Sequence, residues 1–163
     1  MHPLLSRASG PSFLRVSAGA VLLLACGCSP ADRGPANPGG AWPYAVVRAD
    51  CAPWDGAALS LTLGQLGSTT EPAYPLIHIG VYHPPAEVLD HAFSFNEADT
   101  QEGGAMYCEA EGACVSSREV KVRFGRIKPD STVSGEYRLV LRDGRQEGGT
   151  FTARFLTQPA LCG

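Results

Sequence analysis

Long apolar runs, an excess of positive charge and helical periodicity are all scarce in this chain, and each shortage removes a class of protein. The apolar run ahead of the first cysteine, positions 16 to 25, holds ten residues, about half of the roughly 20 that a bilayer-crossing helix requires. A removable leader fits it better than a permanent N-terminal span, which is the alternative. Thirteen Lys and Arg face sixteen Asp and Glu for a net charge of −3. The basic surplus that a phosphate backbone selects is therefore missing, and nucleic acid is not an expected partner. No C-x-x-C pair, G-x-S-x-G elbow or glycine-rich phosphate loop occurs, so thioredoxin-like redox, hydrolase and nucleotide chemistry have no motif to stand on. Beyond residue 41 no stretch keeps a 3.6-residue apolar repeat for three turns, which argues against long helices.

What is present points to turns and strands. The 163 residues include 19 Gly and 13 Pro at 44% hydrophobic composition, a globular chain of one domain with many turns. The first fifteen positions carry Arg7 and Arg15 and no acid, ahead of the apolar run; a basic segment followed by a short apolar one is the pattern of an export signal.

Leu23-Leu24-Ala25-Cys26 resembles the lipobox of bacterial lipoproteins, with an apolar residue and a small one preceding the cysteine. The resemblance covers the leader alone. It implies that residues 1–25 are a signal peptide removed by the lipoprotein signal peptidase and that Cys26 is the lipidated first residue of the mature chain; Cys28 is a second, poorer candidate. Two or three acyl chains would hold the protein on a membrane stably, at about 0.8 kcal/mol per buried methylene. Gly27 in place of aspartate implies outer-membrane sorting, with the protein facing the periplasm or the cell surface. Residues 26–41, rich in Pro and Gly, read as a flexible tether, and the folded domain is expected over 42–163. That domain resembles no named family of known activity.

Four cysteines fall in the domain, Cys51, Cys108, Cys114 and Cys162. In an oxidising compartment they form two disulfides with three possible connectivities. Cys108 with Cys114 across a hairpin tip, and Cys51 with Cys162 joining the opening strand to the chain end, is the favoured arrangement.

Alternation of period two recurs along the domain. Leu59, Leu61 and Leu63 alternate with Ser60 and Thr62; Ile77, Ile79 and Val81 alternate with His78 and Gly80. Val120 to Phe124, Tyr137 to Leu141 and Phe151 to Phe155 repeat the pattern, and Ala45–Ala49 and Phe93–Phe95 are shorter runs. Gly64–Pro75 reads as a loop, Ala86–Ala92 as at most one helical turn, and Asp143-Gly144 as a hairpin turn. The expected fold is all-β, an antiparallel β-sandwich of about seven or eight strands, disulfide-stapled, with a closed barrel as the alternative.

Charge is divided along the chain. Positions 41–117 hold ten acids and one base, whereas 118–163 hold nine bases and five acids. Interleaved strands would make these charges mutual neighbours; a sharper possibility is a basic face of Lys121, Arg123, Arg138, Arg142 and Arg154 that meets an anionic partner or lipid headgroups. His78, His83 and His91, with Glu87 or Asp90, are weak metal candidates, and His78 and His83 sit at an odd spacing that puts them on opposite faces of a regular strand. Glu97, Asp99 and Glu102 do not match a calcium loop. The expectation is a lipid-anchored, non-catalytic, monomeric envelope module without a cofactor that binds an envelope protein or glycan; a metal-binding protein or metal-dependent enzyme using the three histidines is the alternative.

Overall fold

A computed structural model describes residues 42–67 and 71–162; the leader, the proposed lipid site Cys26 and the tether lie outside the described residues. Eight strands and one helical turn follow in the order β1 (Tyr44–Cys51), β2 (Ala57–Leu66), β3 (Pro72–Val81), α1 (Pro85–Val88), β4 (Ala92–Asn96), β5 (Gly103–Ala110), β6 (Ala113–Ile127), β7 (Thr132–Leu141) and β8 (Gln146–Leu156).

The strands close on themselves. Antiparallel ladders run β1–β2–β3–β5–β6–β7–β8, and the ring is completed by a parallel pairing of Val46–Arg48 on β1 with Arg154–Leu156 on β8. The all-β expectation holds, but the antiparallel sandwich does not: this is a seven-stranded closed barrel with one parallel seam. Alternation shows that each strand has one buried face, and it is the same whether those faces belong to two sheets or to one closed sheet. Closure leaves neither β1 nor β8 as an open edge.

The fifteen-residue β6 supports the eighth strand. Its residues 117–127 pair with β7, and on the opposite edge Ala113–Ser116 pair with β5 while Glu119–Arg123 pair with β4. The strand β4 thus takes up the edge of β6 where β5 leaves it.

Register explains the core. Val47, Leu61, Ile79 and Ala105 occupy one level across β1, β2, β3 and β5, all facing the interior, with Leu59, Leu61 and Leu63 wholly buried. On the other wall Phe124 and Phe151 meet edge to face at 5.8 Å between ring centres, with Gly135 at their level on β7. From outside the ladders, α1 contributes Val88, and Trp42 donates its indole N–H to the Tyr137 hydroxyl at 2.7 Å.

Both disulfides match the favoured pairing. Cys51–Cys162 ties the end of β1 to the chain's last residues, and Cys108–Cys114 joins directly opposed positions of β5 and β6. The ring of strands closes within residues 44–156, and both disulfides link positions within 51–162.

Two local expectations change. The stretch Gly64–Pro75 is mostly strand, since β2 runs to Leu66 and β3 begins at Pro72, the ladder being shifted at Gly64/Gln65 by an irregularity that admits the glycine. The strand β5 gives no apolar alternation because its inward positions begin with Gly103, whose side-chain volume is taken by the Phe95 ring. The Asp143-Gly144 turn forms as expected, with Gly144 at φ 90° and its N–H donating to Leu141 O at 3.0 Å.

Candidate anion-binding groove

Along a strand alternate residues face outward, and across a ladder partners face the same way. On β6 the inward residues are Val122 and Phe124, so Lys121 and Arg123 point out. Register places them in two outward rows crossing four strands. One row is Ser94, Lys121, Arg138 and Gly148; the other is Ala92, Arg123, Glu136 and Thr150. The rows frame a groove of about 640 Å³ whose floor includes Phe93, Val122, Tyr137 and Gly149. It is a depression because Ala92 and Ser94 are small and Gly148 has no side chain, while long basic side chains stand between them.

Electrostatics single this groove out. Lys121 and Arg138 are direct cross-strand partners, an arrangement in which like charges repel. Among the described residues neither of them, nor Arg123, takes part in an ion pair. Arg138 donates to the neutral amide oxygen of Gln146 at 3.0 Å. Among the described residues the only carboxylate lining the groove is Glu136, opposite Arg123, and Glu119 stands beyond Lys121 in an adjoining depression.

The other two members of the expected basic face are elsewhere. Arg142 donates to Glu97 at 3.0 Å. Arg154 lies beside Thr132 at the far end of β8, six residues from Gly148, or roughly 20 Å at about 3.3 Å per residue. The divided charge of the sequence is largely settled by interleaving: Arg126 bonds Asp90 at 2.7 Å, Arg145 bonds Glu109 at 2.5 Å, and Arg142 bonds Glu97. Three cations escape this pairing together.

The histidines do not converge. His78 is mostly buried on β3 with Nδ1 3.2 Å from Thr62 Oγ1, and burial holds its pKa below the ordinary value, opposed by nearby Asp50 and reinforced by Arg48. His83 lies past the end of β3 with Nε2 2.9 Å from Glu102 and its ring against Phe93. The Nδ1 of His91 sits 2.9 Å from Leu89 O, while Asp90 belongs to Arg126. Among the described residues no group of three or more His, Cys, Asp or Glu is placed to share a metal ion. The acidic loop serves itself: Asp99 accepts the Asn96 N–H at 3.0 Å, and Glu97 and Glu102 hold Arg142 and His83.

A second depression of about 360 Å³ runs past Pro53, His78, Tyr82 and Met106. Its cation, Arg142, is already neutralised, so it offers no comparable charge. Trp54 stacks edge-on against Tyr82 at 5.2 Å between ring centres, beside this depression.

Sequence reading found the three cations but missed Ser94, Glu136 and Thr150 as their neighbours. The Asp143-Gly144 turn fixes the β7–β8 register and was a usable signal for Glu136 against Thr150; nothing local in the sequence aligns β4 with β6. Comparison with protein-family models, with curated proteins and with solved structures finds no match to this chain.

Proposed function

We propose that this chain is an exported lipoprotein, anchored through Cys26, whose barrel is a non-catalytic module that binds an anionic component of the cell envelope in the groove between β4 and β8. The observation that carries the reading is the opposed pair Lys121 and Arg138, with Arg123 beside them, left without ion-pair partners among the described residues while neighbouring cations have them. A like-charge pair on a solvated sheet face lowers stability by a few tenths of a kcal/mol. An anion in the groove would convert that repulsion into charge-assisted hydrogen bonds. The lipobox supplies the address, and the groove supplies the contact.

The test uses the oxidised chain of residues 42–163 and isolated cell envelopes. Wild-type protein should sediment with envelopes saturably and less at high salt, and the triple variant Lys121→Gln, Arg123→Gln, Arg138→Gln should bind about tenfold more weakly. Equal sedimentation of the two proteins would defeat the reading. For the anchor, Cys26→Ser should abolish acyl labelling of the full chain in cells; unaltered labelling would move the lipid to Cys28.

A further inference from the structure

We infer that the groove binds the phosphate monoester of a membrane lipid headgroup, an assignment that rests on the anion-binding reading above and deepens it. Charge is the first argument. Three cations and one carboxylate give the groove a net charge of +2, and a phosphate monoester carries about −1.5 to −2 near neutral pH. A phosphodiester or a carboxylate, each with a single negative charge, would leave a cation uncompensated.

Geometry is the second. Lys121 and Arg138 are opposed, so both heads reach one oxyanion from adjacent strands, and Arg123 stands two residues from Lys121 on the same face, roughly 7 Å away along the strand. A planar guanidinium takes two phosphate oxygens in parallel and an ammonium acts as a point charge on a third. Glu136, opposite Arg123, and Glu119, two residues beyond Lys121 on the same face, bound the cationic patch at its two ends and so centre the phosphate on the Lys121–Arg138 pair.

Placement is the third argument. The chain enters the barrel at Trp42, whose indole is bonded to the Tyr137 hydroxyl on the buried side of β7, behind the wall whose outer side carries the groove. The described chain therefore begins against β7, one of the groove's own strands, on the face opposite the groove. Fifteen residues lie between Cys26 and Trp42, a reach of at most roughly 50 Å to 60 Å when extended, so an anchored domain can turn its outer groove face to the bilayer from which it hangs.

The experiment compares retention of the 42–163 chain on phosphatidylcholine vesicles containing about 10 mol% phosphatidic acid, a monoester, with vesicles containing about 20 mol% phosphatidylglycerol, a diester, so that surface charge is matched. Retention should be about tenfold stronger on the monoester vesicles, and Lys121→Gln with Arg138→Gln should remove that preference without lowering the melting temperature. Equal retention on the two surfaces, or a preference untouched by the variant, overturns the inference. Saturable calorimetric binding of inorganic phosphate without vesicle retention also overturns it, by assigning the groove to a soluble phosphate. If envelope sedimentation still depends on the three cations while the monoester preference is absent, this inference fails alone; if neither depends on them, the anion-binding reading fails with it.

Discussion

At the scale of single residues, burial converts two polar side chains into measurable handles. His78 has its pKa held below the ordinary 6.5 by desolvation, so the unfolded chain binds a proton at a pH where the folded one does not. Linkage then keeps the full stability above about pH 6.5 and removes part of it as pH falls from there toward the folded-state pKa. Thermal unfolding followed from about pH 8 to pH 5 should show that decline in the wild type and a shallower one in His78→Gln; parallel curves would mean that the imidazole is free to protonate in the barrel wall. Tyr137 is the second handle. Its hydroxyl accepts the buried Trp42 N–H, and Tyr137→Phe leaves that donor without a partner, at a cost of about 1–3 kcal/mol in denaturant unfolding. An unchanged midpoint would show that water reaches the indole. Neither handle was legible in the sequence, because one depends on how the folded wall covers His78 and the other on Trp42, supplied by the segment before β1.

At the scale of the element, strands were readable wherever large apolar residues alternate and silent wherever the barrel needs room. Leu59, Leu61 and Leu63 declared β2, as Val120, Val122 and Phe124 declared the middle of β6. In contrast β5 hides, because Gly103 must yield its inward volume to Phe95. The same logic governs Gly135 on β7. A methyl group there would overlap the carbonyl oxygen of Arg123 and the Phe151 ring, so the strand cannot accept one without moving backbone or displacing the Phe124–Phe151 contact. Overpacking of this kind costs about 1–3 kcal/mol, and Gly135→Ala should lower the unfolding midpoint accordingly. Gly112, at φ 74° in the β5–β6 turn with nothing near its missing side chain, should lose stability on substitution through backbone strain alone. The pairing Phe151→Leu with Gly135→Ala separates the two mechanisms, since relieving the ring overlap should recover part of the loss at Gly135 and has no counterpart at Gly112.

At the scale of the whole molecule, the sequence specified faces but not closure. The step it concealed is the parallel contact of β1 with β8, which joins residues about a hundred positions apart and leaves no local pattern. Long-range contacts of this kind carry a large loop-closure cost, and the Cys51–Cys162 disulfide acts on the same problem, since it links the end of β1 to the segment that follows β8 over a separation of 111 residues. Cys108–Cys114 spans a separation of 6 within one hairpin. Chain-entropy reasoning assigns roughly 5 kcal/mol to the long link and roughly 2 kcal/mol to the short one. The paired replacements Cys51→Ser with Cys162→Ser should therefore destabilise the barrel by about 3 kcal/mol more than Cys108→Ser with Cys114→Ser. Denaturant unfolding of the two double variants measures this directly, with double replacements avoiding a free thiol in either. Equal losses would mean that the unfolded chain already keeps its ends together, and the parallel seam, rather than the disulfide, would then be the element that closes the ring.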